Sequence, residues 1–177
     1  MNFHRHLALL GLLGAVACVP KREAPPPAPR PQPQQAPRPV APPPPPAADW
    51  RDVPLTAGGW VYRNEGAGSL ALFGAANSEA QFAVRCDRSR RQVTLSREGA
   101  VNVPAITIRT TFGARSLPVT VQREPLAYLI ATVAASDPFL DTMAFSRGRF
   151  TVAAAGLPML VIPAWPEPAR VIEDCRA

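Results

Sequence analysis

The chain has 177 residues, 23 of them proline and 3 cysteine, with 19 basic residues against 13 acidic ones. The formal charge of +6 is unevenly placed: Arg5 lies in an apolar leader, and Lys21, Arg22, Arg30 and Arg38 face only Glu23 in a proline-rich stretch. Residues 49–177 hold 14 arginines against 12 acids, too small an excess for the basic face of a nucleic-acid-binding protein.

A short basic start precedes an apolar run from Leu7 to Ala17, which is too short to cross a bilayer as a stable helix. The run ends in small residues and then Cys18, so residues 1–17 read as a signal peptide. An ordinary secretory signal with a thiol at its cleavage site is the alternative. The stretch Leu13-Gly14-Ala15-Val16-Ala17-Cys18 resembles the lipobox of bacterial lipoproteins, with Ala15 where leucine is commonest. That resemblance implies cleavage before Cys18 and acylation there by palmitate-like chains. Several chains at about 0.8 kcal/mol per buried methylene make a permanent anchor. Val19 stands where an inner-membrane retention signal carries Asp, which implies an outer-membrane lipoprotein with its domain facing the periplasm.

Residues 19–48 contain 14 of the 23 prolines and almost no large apolar side chain. Such a segment cannot bury a core and is expected to be a disordered tether. Its Pro25–Pro27 and Pro42–Pro46 runs favour polyproline II, which rises about 3.1 Å per residue and reaches on the order of 90 Å here. A ligand for a proline-binding module is the competing use.

The remaining residues, 49–177, suit one domain with one core. They hold two cysteines, Cys86 and Cys175, which in an exported protein read as a disulfide; two buried free thiols are the alternative.

Over residues 49–135 the chain alternates with period two between turn signals, as a β meander does. Trp60-Val61-Tyr62 leads to a turn at Asn64 to Gly68, and Leu70 and Leu72 alternate in the next strand. Phe82, Val84 and Cys86 share one face of a third strand, with Arg85 on the other. Val93 and Leu95, then Ile106 and Ile108, mark the fourth and fifth strands. Leu117, Val119 and Val121 are expected inward on a single strand after Gly113. Leu126 to Ala134 is nearly all apolar, and its β-branched residues favour a strand over a short helix.

The last third changes period. Ser136-Asp137-Pro138 offers an N-cap and a first-turn proline, and Phe139, Leu140, Met143 and Ala144 recur at helical spacing up to Gly148. Two more strands follow, at Phe150 to Ala154 and Met159 to Ile162. Pro166 and Pro168 open a last helix through Cys175. The expectation is a mainly β fold: an antiparallel β-sandwich of about eight strands with two short C-terminal helices, a small β-barrel being the alternative.

Phe82-Ala83-Val84-Arg85-Cys86, Ser146-Arg147-Gly148-Arg149-Phe150 and the ending Arg170-Val171-Ile172-Glu173-Asp174-Cys175-Arg176 resemble uncharacterised lipoproteins of alphaproteobacteria. The order of a strand ending in Cys, a meander, a short helix, two strands and a terminal Cys is more distantly similar to the invasion-associated locus B family of periplasmic β-sandwiches. It is also similar to type VI secretion-associated lipoproteins. The shared motifs are structural, and the resemblance brings no catalytic residue with it.

Chemistry is sparse. His4 and His6, the only histidines, fall in the signal, so the mature chain lacks the parts of a Ser-His-Asp or Cys-His site and of a His-containing zinc site. No catalytic residue, metal or cofactor is expected. A carboxylate-based hydrolase would draw on Asp137 and Asp141, four apart on one helix, but helix starts select acids without any function. Glu173 and Asp174 are adjacent and are expected to be solvated. Two arginine groups, Arg85, Arg88, Arg90 and Arg91 with Arg97 further along the next strand, and Arg147 with Arg149, can clamp anions bidentately or simply hydrate a rim. Trp165, between prolines, is either an edge residue or an exposed contact platform.

These readings converge on a non-catalytic binding or structural module of the envelope. Its partners are the membrane, through Cys18, and an envelope protein or cell-wall polymer. An inhibitor or immunity-type protein blocking an envelope hydrolase is the alternative.

Overall fold

A computed structural model describes residues 49–177. The expected signal peptide at 1–17, the expected acylation at Cys18 and the expected tether at 19–48 lie outside the described residues. Ten strands and two helices run in the order β1 (Gly59–Asn64), β2 (Ser69–Gly74), β3 (Phe82–Asp87), β4 (Gln92–Glu98), β5 (Ala105–Thr110), β6 (Gly113–Pro118), β7 (Thr120–Gln122), β8 (Tyr128–Ala134), α1 (Phe139–Ala144), β9 (Arg149–Ala153), β10 (Leu160–Pro163) and α2 (Pro166–Arg176). Every strand pairing is antiparallel. A six-stranded sheet runs β1-β2-β3-β4-β8-β7 and a four-stranded sheet runs β10-β9-β5-β6, so four edges stay open and the fold is a sandwich, not a closed barrel.

The strand count exceeds the expected eight in part because the segment read as one strand through Leu117 and Val121 is two. Pro118 has no N–H to extend the ladder, and the chain leaves the small sheet there to join β8 of the large one. The Val119 N–H donates to the Pro104 carbonyl at 3.0 Å, pinning the crossing point. Leu117 is buried in the core, whereas Val119 and Val121 are only half-buried against it.

The inward faces follow from alternation. Phe82, Val84 and Cys86 of β3, Val93 and Leu95 of β4, and Leu129, Ala131 and Val133 of β8 line one side of the core. Ile106, Ile108, Leu117, Phe150, Val152, Leu160 and Ile162 of the small sheet line the other. Each fully buried Phe or Ile contributes about 1.5–3 kcal/mol relative to exposure. Phe82 sits 6.0 Å from Phe150 across the sheets and 6.3 Å from Trp60, whose indole N–H donates to the Pro163 carbonyl at 2.9 Å.

The other ends of β1–β3 face α2 instead of the small sheet. Val171, Ile172 and Cys175 are the buried side of this helix, and the Cys86–Cys175 disulfide ties it to β3 with the two Cα atoms 5.4 Å apart. Tyr62 adds a hydrogen bond from its hydroxyl to Asp174 Oδ2 at 2.7 Å, and Arg170 stacks on the Tyr62 ring at 4.2 Å. Gly68 lets the β1–β2 turn press against β3: a Cβ there would lie 2.0 Å from the Cys86 carbonyl oxygen. No helix among the described residues is long and apolar enough to cross a membrane.

Candidate functional site

The outer face of the six-stranded sheet is where the sequence pattern and the fold part company. The pairing of Leu72 with Ala83, Ala83 with Ser96, and Ser96 with Ile130 sets these four side chains in one row across β2, β3, β4 and β8. Leu70, Arg85, Thr94 and Thr132 form the next row. Both rows point away from the core, because the cross-strand partners Phe73–Phe82 and Ala71–Val84 occupy the inner face. In β2 the leucines therefore face outward and Ala71 faces in.

Among the described residues no helix or strand covers this face, yet Leu70 and Ala83 are only 6% and 9% exposed. The surface is recessed into a groove of about 370 Å³ floored by Leu70, Leu72, Ala83 and Ile130, with Thr94 and Ser96 supplying hydroxyls. A second hollow of about 550 Å³ between the β1–β2 ribbon and the loop from Gly74 to Ala80 shares Leu72 and Tyr128 with the first. Tyr128 stands at the junction and donates its hydroxyl to the Ala80 carbonyl at 3.0 Å. Burial, reinforced by Glu79 and Glu98, raises its phenol pKa, so it remains a neutral donor. Arg63 and the ion-paired Arg85 and Glu65 lie toward one end, Glu79 and Glu98 toward the other.

This arrangement suits recognition: apolar contact in the middle, hydroxyl hydrogen bonds along it, and charges of opposite sign at the ends. Sequence reasoning missed it. The available signal was Leu70, Leu72 and Ile130 recurring at period two on the side opposite the aromatic core residues.

The residues singled out from the sequence fall elsewhere. Arg88 Nε donates to the Asp174 carbonyl at 3.3 Å and its Nη1 to the Gly66 carbonyl at 3.2 Å, while Arg91 Nη2 donates to the Arg176 carbonyl at 2.9 Å. Two of the three turn arginines thus hold the last carbonyls of α2, which lack partners within the helix. Arg90 pairs loosely with Asp87 at 3.4 Å. Arg149 Nη1 donates to the Val53 carbonyl at 2.7 Å, whereas the Arg147 side chain has no ion pair among the described residues.

Asp137 and Asp141 each meet their own arginine. Arg115 Nη1 lies 2.8 Å from both oxygens of Asp137, and Arg176 lies 2.7 and 3.2 Å from Asp141. Partial burial acts to raise the Asp137 pKa, but the Phe139 N–H at 2.9 Å and Arg115 outweigh it and leave the carboxyl below its ordinary value. Asp137 caps the start of α1 as expected, from one residue further out, since Pro138 occupies the N-cap position.

Glu173 is exposed as expected, whereas Asp174 is part-buried and engaged by Tyr62. Burial acts to raise its pKa; the Ser69 hydroxyl nearby, the Tyr62 hydrogen bond and the charges of Arg88 and Arg170 overcome that and lower it. The Ser69 hydroxyl itself is buried without a hydrogen bond of normal geometry. No cluster of three or more His, Cys, Asp or Glu side chains with metal-binding geometry occurs among the described residues.

Comparison of the chain with protein-family models, with curated proteins and with solved structures finds no match.

Proposed function

We propose that the protein is a lipid-anchored envelope lipoprotein, held in the outer membrane through Cys18, whose domain 49–177 is a non-catalytic binding or structural module in the periplasm. The lipobox-like run into Cys18 and the long proline-rich spacer support the anchored placement. The observation that carries the binding role is the uncovered outer face of β2, β3, β4 and β8. Antiparallel sheets ordinarily turn polar side chains to solvent on such a face, and this one presents Leu70, Leu72, Ala83 and Ile130 in a recess. The partner that fits it is an envelope protein or cell-wall polymer; the near-neutral domain gives no reason to expect nucleic acid.

Photo-crosslinkers placed at Gln122 and Thr94 on the groove rim test this in intact cells. A discrete adduct that disappears with Leu72→Arg, in a protein that still folds, is the expected result. Adducts unchanged by Leu72→Arg would remove the groove as the binding surface. Labelling with a palmitate analogue tests the anchor separately, and labelling unaffected by Cys18→Ala would overturn it.

A further inference from the structure

The two most exposed large apolar side chains among the described residues are Phe145, at 63%, and Phe112, at 57%. They lie on different loops that the structure fuses into one. Phe112 occupies the two-residue turn between β5 and β6, and Phe145 follows α1. The Thr111 N–H donates to Ser146 Oγ at 3.0 Å, and the Arg147 N–H donates to Thr111 Oγ1 at 3.0 Å. Ser146 Oγ in turn donates to the Arg149 carbonyl at 2.5 Å, and Ser146 is buried. Each phenylalanine is therefore one residue away from a rigid hydroxyl-centred junction, and both are held in the open.

Trp165 extends the same end of the small sheet. The Ala164 N–H donates to the Gly148 carbonyl at 3.2 Å, and Pro163 pairs with Arg149. With strands about 4.8 Å apart, the end of β10 that leads into Trp165 lies two to three spacings, roughly 10–14 Å, from the Phe112 turn, and the Trp165 ring lies beside Gly59 of β1. It is 47% exposed.

Arginines outnumber the acids around these rings. Arg109, Arg115, Arg147 and Arg149 lie on the same loops and strand ends; of the acids nearby, Asp137 is bound to Arg115, Asp141 to Arg176 and Asp49 to Arg51, and Asp52 precedes the Val53 that Arg149 holds. Arg147, between the two phenylalanine loops, has no carboxylate within ion-pair distance among the described residues.

At this same end of the small sheet Arg149 holds the Val53 carbonyl at 2.7 Å.

A projecting set of rings fits a deformable surface better than a shaped protein partner. Aromatic rings with arginines beside them sit at the headgroup level of a bilayer, the rings in the acyl boundary and the guanidinium groups among phosphates. We infer that Phe112, Phe145 and Trp165, with Arg147 between them, form a second membrane-contact site that docks this end of the sandwich onto an anionic phospholipid surface. The site goes beyond the binding groove, which lies on the outer face of the other sheet, and it does not depend on acylation of Cys18.

The test uses the chain from Val19 to Ala177, which lacks the acylation site and the apolar leader and keeps the whole core described above. It is sedimented with vesicles of phosphatidylcholine alone and of equal parts phosphatidylglycerol and phosphatidylcholine. The expected result is binding to the anionic vesicles only, weakening with salt, and a blue shift of tryptophan emission that Trp165→Phe removes. Phe112→Ser with Phe145→Ser should weaken binding at least tenfold at an unchanged melting temperature, and Phe145→Ser alone should show part of that loss. Arg147→Gln should weaken it about fivefold. No binding to anionic vesicles, or equal binding by the double variant, overturns the inference. Self-association abolished by the double variant, without vesicle binding, would likewise overturn it and assign the rings to a protein contact.

Discussion

Arg91 donates to the backbone carbonyl of Arg176 at 2.9 Å, so the arginine-rich turn between β3 and β4 terminates the last helix of the chain from outside. Arg88 does the same for the Asp174 carbonyl at 3.3 Å. A helix of eleven residues opened by prolines has little stability of its own and needs such tertiary ties. Replacing both by alanine should cost about 1–3 kcal/mol, from two hydrogen bonds with a charged donor in partly exposed positions. Urea unfolding of the double variant measures it. A midpoint equal to that of the parent protein would show that the turn merely hydrates a rim.

The disulfide acts on the same helix. Cys86 lies at the end of a strand whose inner face is Phe82 and Val84, and Cys175 sits one turn beyond Val171 and Ile172. With the cysteines 89 positions apart, loop entropy assigns the bond about 4–5 kcal/mol. Reduction should free α2 before it melts the meander, because β4, β8 and the small sheet keep their own core. Hydrogen exchange on oxidised and reduced protein reads this directly. Equal protection of residues 166–176 in both states would mean that packing and the arginine ties suffice.

Acid should loosen the helix by a second route. The Asp174 carboxyl has a lower pKa in the folded protein than in the unfolded chain, where it is about 3.9. A depressed folded pKa contributes stability that is fully present above the unfolded value and is lost as pH falls through the folded one. Asp174→Asn should thus be less stable than the parent at pH 7, by about 1–2 kcal/mol, and lose less on going from pH 5 to pH 2. Melting curves across that range test the sign. Parallel losses in the two proteins would remove Asp174 from the account of acid stability.

How much of this was legible in the sequence depends on the distance over which each feature is built. Local alternation identified β3, β4 and β5 and placed Phe82, Val84, Cys86, Val93 and Leu95 inward, because a strand's faces follow from period two alone. The two helices and the Cys86–Cys175 bond were also readable, from helical spacing and from the pairing logic of exported cysteines. The switch of sheets at Pro118 was not, since nothing local tells a strand which sheet its continuation will join. The groove was hidden because Leu70 and Leu72 look like core residues until Phe73 and Ala71 are seen to pair with Phe82 and Val84. The work of Arg88 and Arg91 was hidden for another reason: their acceptors lie more than eighty residues away.

Arg97 is the strongest departure from local expectation. It follows Val93 and Leu95 on the inward face of β4 and is only 6% exposed, a cation at the rim of an apolar core. No carboxylate forms an ion pair with it among the described residues. Its guanidinium donates instead to the Glu98 carbonyl and, at 3.3 Å, to the Pro158 carbonyl, and Nε is buried without a partner. Burial pulls its pKa below the ordinary arginine value, against the nearby charge of Glu98. Two carbonyl acceptors offset the desolvation of a guanidinium only in part, and apolar residues of similar volume often do as well or better in such positions. Arg97→Met should therefore leave the melting temperature unchanged or raise it, while loosening the loop at Gly156 to Pro158 that the arginine now ties to β4. Calorimetry and hydrogen exchange of that loop measure the two effects separately. A loss above about 3 kcal/mol would show instead that the carbonyl bonds hold this end of the sandwich closed.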